Sequence, residues 1–167
     1  MVHTGTDLEI QYGRIQMNKS YTVQTRIVRY EDLNGQHRLF GGRLMEWIDE
    51  CAGIAARRYC RSDIITASID KLSFLRGAHL NDTIVLEAQV TYTGHTSMEV
   101  MVKTFIESHD GERTLINTAY LVEVALDKNE KPCAVPQFVP ETDEEKENWN
   151  EANERNALRK HRKDNEA

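Results

Sequence analysis

Residues 34–56, NGQHRLFGGRLMEWIDECAGIAA, begin as a polar loop, pass through the pair Gly41-Gly42, and continue as a long helix-patterned run. Leu44, Ile48, Cys51 and Ala55 fall at helical spacing and make one apolar stripe. Met45, Ala52 and Ala56 make a second stripe beside it, and Arg43, Glu46, Glu50 and Arg57 gather on the opposite side. Asp49 falls within the second stripe, flanked along the helix by Met45 and Ala52. A carboxylate there is costly to bury unless it is paired or put to use. A partly exposed aspartate at the flank of an amphipathic helix satisfies the same pattern, so the helix alone leaves both readings open.

The glycines weigh on that choice. Two consecutive glycines at a helix start let another group come close to the backbone and leave unpaired N–H groups pointing outward. Such a terminus is partly positive and suits a developing oxyanion as it suits a phosphate. Glycine equally fits a tight turn into a helix packed closely on a sheet. Taken together, loop Asn34, the amide of Gly42 and the carboxylate of Asp49 supply three groups that acyl-transfer chemistry requires.

Outward from this segment the pattern is regular. Residues 20–30, SYTVQTRIVRY, are rich in β-branched and aromatic types and predict a strand, while residues 1–19 are polar, aperiodic and read as a loose leader. The helix is predicted over about 42–61, and strand-like segments follow at 64–74, 83–93, 97–108 and 113–126. Turn signals at Asn81-Asp82, Gly94-His95 and Asp110-Gly111 separate the strands after the first of these. Alternation is clearest in Ile84, Leu86, Ala88, Val90 and Tyr92, and again in Met98, Val100, Val102 and Thr104. One strand, one long helix and four strands predict an α+β fold in which a strongly curved antiparallel sheet wraps around the helix. The folded domain is expected over 20–131, and 132–167 read as a connector followed by a charged helix. Pro132, Pro136 and Pro140 punctuate that connector, and Thr142 with Glu145 three residues on is a capping box for the helix. The helix starts acidic and ends basic, as its dipole favours, and its thin apolar content predicts a solvated element docked through Trp149 with a frayed end.

A chain of 167 residues with 40% apolar content is sized for one domain and one core. Its net charge of −6 argues against a nucleic-acid surface, for which a basic excess is expected. No run reaches membrane-span length and the N-terminus lacks a signal-peptide pattern, so the expected location is the cytoplasm and no membrane partner is expected. Cys51, Cys60 and Cys133 are an odd number without metal-like spacing, and the six histidines include no pair four apart on a helix. No metal is expected, and Cys51, on the apolar stripe, reads as a core thiol.

The run N-x-x-x-x-L-F-G-G-R-L-M-x-W-I-D-E-x-A resembles the signature of hot-dog-fold acyl-CoA thioesterases. The similarity continues through Thr66-Ala67-Ser68-Ile69-Asp70, Thr96-Ser97-Met98-Glu99-Val100 and Asn117-Thr118-Ala119-Tyr120-Leu121, covering about residues 20–145. His37 stands where that family often has glycine, Gly77 where a proline is common, and Asn81 where a glycine is frequent before the position of Asp82. These departures bear on loop shape more than on chemistry.

The resemblance implies a hot-dog fold, dimers whose two sheets run together, and a trimer of dimers. It implies hydrolysis of an acyl-CoA thioester with Asp49 as general base or nucleophile, Asn34 orienting carbonyl or water, and the Gly42 amide at the oxyanion. By the same pattern Asn34 and Asp49 meet across a dimer interface. Ala67, Ser68, Ile69, Ser97, Met98 and Glu99 would line the coenzyme A groove, with Arg76 and His95 as phosphate partners on adjacent loops. No cofactor is implied, coenzyme A being part of the substrate and product. Two other readings share the fold. A hydroxyacyl dehydratase would use a loop histidine with a helix carboxylate, which His37 and Asp49 loosely imitate, but its H-F-P motif is absent. A non-catalytic acyl-CoA sensor would be expected to carry a DNA-binding module, and residues 1–19 hold none.

Overall fold

The computed structural model describes residues 20–166, so the leader expected over 1–19 lies outside the described residues. The elements run β1 (Thr22–Ile27), a single 3-10 turn (Tyr30–Asp32), α1 (Gly41–Cys60), β2 (Asp63–Phe74), β3 (Thr83–Thr93), β4 (Ser97–Glu107), β5 (Arg113–Leu126) and α2 (Asp143–Glu166). The five strands form one antiparallel sheet in the order β1-β3-β4-β5-β2. This is the α+β hot-dog arrangement: a curled sheet closing on α1.

Of the twenty residues of α1, Leu44, Trp47, Ile48, Cys51, Ala52, Ala55 and Ala56 are buried. The first apolar stripe forms the centre of the contact, and Trp47 joins it from a position outside either stripe. The second stripe divides, because the helix is rolled toward the middle of the sheet. Ala52 and Ala56 are sealed, whereas Met45 and Asp49 stand exposed on the flank. Opposite the helix, β4 and β5 present Met98, Val100, Val102, Ala119, Leu121 and Ala125 at alternate positions. Each large apolar side chain buried there contributes about 1.5–3 kcal/mol, which fixes the register of both strands.

β2 is an edge strand, paired on one side with β5. Register shifts between Thr66 and Ser68 and between Ile69 and Lys71 leave Ala67 and Asp70 as bulges. Bulges re-aim the side chains around them. The outer edge of β2 carries exposed Ile65, Ile69 and Phe74, an apolar and unpaired margin of the sheet.

The connector and α2 depart from the expectation. The capping box forms as predicted, with the Glu145 N–H donating to Thr142 Oγ1 at 3.1 Å and the Thr142 N–H to Glu145 Oε2 at 3.2 Å. The helix, however, is not held chiefly through Trp149, which is only partly buried. Ala152 is fully buried, and Arg155 and Arg159 reach a carboxylate on the outer face of the sheet, that of Glu99, at 2.9 and 2.8 Å. The Arg155 guanidinium also lies 3.8 Å from the centroid of the Tyr120 ring, and Arg159 pairs with Asp70. Charged residues that read as solvent-facing are the docking contacts. Their partners, Glu99 and Asp70, sit on strands far away in sequence, where a helical period says nothing about them.

Candidate active site

The loop before α1 is built by its own polar groups. Leu33 and Leu39 bridge across it, the Asn34 N–H donates to the Arg38 carbonyl at 2.8 Å, and the His37 N–H donates to the Asn34 carbonyl at 3.0 Å. Asn34 Oδ1 accepts from the Gln36 and Arg38 amides at 2.9 and 3.2 Å, so the side chain shapes its own turn. His37 has φ 55° and Asn81 φ 68°, the left-handed region that favours glycine. These are two of the positions where the family pattern commonly has glycine. Asp32 ties the loop to the helix: its buried carboxylate accepts from the Arg29 amide at 2.9 Å and pairs with Arg43 Nε at 3.1 Å.

No side chain caps α1, and its first internal bond runs from the Leu44 N–H to the Phe40 carbonyl at 3.0 Å. The amides of Gly41, Gly42 and Arg43 precede that bond, at the positive end of the helix. A β-carbon at residue 42 would come within 2.5 Å of the Phe40 ring and one at residue 41 within 3.4 Å of the Phe74 ring. The pair thus lets two aromatic rings lie against the helix start. A cleft of about 450 Å³ opens here, lined by Arg38, Gly41, Leu44, Phe74, Arg76 and Ile116.

Asp49 lies seven residues beyond Gly42, about 10 Å along the axis at the usual rise per residue. It accepts a hydrogen bond from Thr66 Oγ1 at 2.7 Å. Thr66 Oγ1 is also 3.1 and 3.3 Å from the two carboxyl oxygens of Glu123, its register partner on β5. Glu123 is fully buried. Burial pushes its carboxyl up to about 7; the Thr66 hydroxyl opposes that rise and the Asp49 charge adds to it.

The expected groups therefore fall into two sets within one chain. Gly42 lies in the first turn of α1 and Arg76 lines the cleft beside it, Asn34 shapes the loop that leads into the helix, and Asp49 lies two turns further along, beside β2. One carbonyl carbon cannot be in hydrogen-bond range of both sets. Ala67, Ser68 and Ile69 follow Thr66 on β2, with Ala67 in the bulge and Ile69 exposed. Ser97, partly exposed, opens β4, and His95 is exposed in the β3–β4 turn, its carbonyl accepting from the Val135 amide at 3.0 Å. Met98 and Glu99 do not present side chains to a groove. Met98 is packed in the core, and the Glu99 carboxylate is engaged by Thr91 at 3.0 Å as well as by the α2 arginines. His37 is exposed at the loop tip, and among the described residues no hydrogen bond links it to Asp49.

Thr66 and Glu123 escape sequence reasoning for different reasons. A threonine in a strand carries no signal of its own. Glu123, by contrast, interrupts the inward series Ala119, Leu121, Ala125 with a carboxyl group, and period-two counting along β5 exposes it. Cys51 is a core thiol, pushed up to about 12 by burial. Among the described residues no three His, Cys, Asp or Glu side chains group as a metal site, and no helix is long and apolar enough to cross a membrane.

The Thioesterase superfamily model matches residues 36–111. The Bacillus subtilis protein YkhA, described as an uncharacterized acyl-CoA thioester hydrolase, is 46% identical over 147 residues, covering 87% of this chain and 85% of its own. The chain belongs to the acyl-CoA thioester hydrolase family. Among solved structures, an apo-hexameric acyl-CoA thioesterase superposes with a TM-score of 0.82 at 42% identity, covering 86% of this chain and 93% of that one. The Staphylococcus aureus acyl-CoA hydrolase in complex with butyryl coenzyme A, coenzyme A and coenzyme A disulfide superposes with a TM-score of 0.84 at 37% identity, over 89% of this chain and 91% of that one. The S. aureus hydrolase has also been solved as alanine variants of an asparagine, an aspartate and a threonine. The intervals between those three positions, fifteen and then seventeen residues, equal those separating Asn34, Asp49 and Thr66 in this family member.

Proposed function

We propose that this thioester hydrolase cleaves an acyl-coenzyme A thioester to free coenzyme A and a carboxylic acid, with Asp49 as the base or nucleophile. The observation that carries the reading is the 2.7 Å hydrogen bond from Thr66 Oγ1 to Asp49 Oδ1. It holds one carboxylate oxygen and leaves the other to work. As base, Asp49 takes a proton from water while that water's oxygen bonds to the thioester carbon. The C–S bond then breaks and the proton passes to the departing thiolate. As nucleophile, Asp49 bonds to the same carbon, expels the thiolate, and water opens the resulting anhydride. In both routes the carbonyl oxygen becomes negative and is met by the Gly42 amide, with Asn34 orienting carbonyl or water. Thr66 is the third member, supported by the matching intervals to the variant positions of the S. aureus enzyme.

The site is completed by a second copy of the chain. The 10 Å or so between Gly42 and Asp49 along one helix is bridged when two copies of α1 run antiparallel about a two-fold axis, which sets each terminus beside the partner's carboxylate. The apolar, unpaired edge of β2 and the hexameric state of a relative support this assembly, a trimer of dimers. Arg76, with Arg38 beside the same cleft, and His95 take the coenzyme A phosphates, while Ser68 and Ser97 contact its chain.

Release of coenzyme A, followed with a thiol reagent over acyl chains of several lengths, tests the reading. Asp49→Asn should lower turnover at least about a hundredfold while the protein stays folded; near wild-type turnover would overturn the assignment. The shared site is tested with Asn34→Ala and Asp49→Ala, each nearly inactive alone. After subunit exchange of equal amounts, about half of dimers are mixed and roughly a quarter of sites should recover. Activity that stays flat after proven exchange would sink the shared site.

A further inference from the structure

The hydrolytic reading uses Asp49 and Thr66 and leaves Glu123 without a task. That glutamate is fully buried, lies on the face of β5 that lines the core, and has Thr66 as its hydrogen-bonding neighbour. From α1 the charge of Asp49 bears on it; from the flanking strands its register partners are neutral, Thr66 on β2 and Met98 on β4. A buried carboxyl that faces a carboxylate and, among the described residues, no cation is a costly arrangement, retained where one group must stay neutral beside an ionised one.

The Thr66 hydroxyl has one proton to give. At 2.7 Å from Asp49 and at 3.1 Å or more from Glu123, that proton goes to Asp49. Only lone pairs then remain for Glu123, so its protonated form bonds to Thr66 as donor; the reverse direction, Thr66 to ionised Glu123, is the one that opposes the rise of its carboxyl. We propose that Glu123 is a positioning residue of the hydrolytic site, donating its carboxyl proton to Thr66 Oγ1 so that Thr66 is committed as donor to Asp49. This rests on the reading of Asp49 as base or nucleophile. Glu123 keeps its proton throughout the reaction. If it ionises, it competes with Asp49 for the Thr66 proton and sets a second negative charge behind the first. Its elevation to about 7 places that change within the working range of pH.

The pH profile of kcat with Glu123→Gln tests this, because the glutamine amide donates to Thr66 at every pH. Wild type should lose activity as pH rises through neutrality. Glu123→Gln should keep turnover within about threefold and lack that alkaline loss, whereas Glu123→Ala should fall about tenfold or more, the equivalent of one lost hydrogen bond. A Glu123→Gln profile that overlays wild type, or turnover as low as that of Glu123→Ala in a folded protein, would overturn the proposal. Infrared titration of the protonated carboxyl band gives a second decision that needs no turnover. The band should vanish near neutrality in wild type and shift its midpoint in Thr66→Val; a protein without a carboxyl titrating there would also overturn it. Asp49→Asn separates the two layers: an active variant removes the hydrolytic reading, while an inactive one beside an unaltered Glu123→Gln profile removes only the role of Glu123.

Discussion

Glu99 on β4 and Glu123 on β5 are the same residue type on neighbouring strands, both sealed from solvent, and they sit on opposite faces of the sheet. Glu99 faces outward and meets Arg155 and Arg159, with Thr91 completing its shell. Glu123 faces inward and meets the Thr66 hydroxyl, with the charge of Asp49 beyond it. Burial alone therefore does not assign a role to a charged side chain. What answers it does: cations turn Glu99 into an anchor for α2, and their absence from the shell of Glu123 among the described residues turns that residue into a proton holder beside the chemistry.

The sharpest way to break this contrast is the same substitution at both positions. Glu99→Gln should cost about 3 kcal/mol or more in urea denaturation at neutral pH, because Arg155 and Arg159 lose the charge they were buried against. Glu123→Gln should cost little there, and equal losses at the two sites would erase the distinction. A second test follows the sign of the titration. The carboxyl of Glu123 is raised from 4.5 to about 7 on folding. Its protonated form thus contributes stability that is complete below about pH 4.5 and is lost as pH rises through about 7, amounting to about 3 kcal/mol. Denaturation midpoints at acidic and alkaline pH should show this slope in wild type and a shallower one in Glu123→Gln.

Smaller effects sharpen the picture around the inward cluster. Thr66→Val removes the hydroxyl between the two acids and should lower kcat about tenfold with little change in KM, the equivalent of one hydrogen bond to a charged group. A change confined to KM would make Thr66 a binding residue instead. The smallest expected effect belongs to the loop. His37→Gly relieves a left-handed conformation worth roughly 1 kcal/mol and should leave turnover and its pH dependence nearly unchanged. Loss of activity there would move His37 from shaping the loop into the chemistry.

The sequence makes the fold legible because its signals are periodic. Helix α1 follows the helical spacing of Leu44, Ile48, Cys51 and Ala55, the strands β3 and β4 follow the alternation of Ile84, Leu86, Ala88 and of Val100, Val102, and the observed bounds agree within a residue or two. Asp49 is legible as an anomaly in an apolar stripe. Its partner Thr66 is not, since the packing of α1 on β2 and the pairing of β2 with β5 bring together residues seventeen and fifty-seven positions apart. The docking of α2 is hidden for the same reason. A helix of alternating charges looks solvated until the sheet supplies Glu99 and Asp70 beneath it.

The anchoring of α2 also sets a clock on synthesis. Glu99 waits for partners made 56 and 60 residues later. At about 5–20 residues per second, the carboxylate is made several seconds before either arginine exists. In that interval closing the outer face of β4 would bury the Glu99 charge without its two arginines, so the nascent sheet should stay hydrated there. Stalled nascent chains ending before residue 155 should remain protease-sensitive across β4, and those extending well beyond residue 159 should not. Equal sensitivity would dismiss the delay. For this chain a helix translated after the sheet is what permits a strand made before it to set.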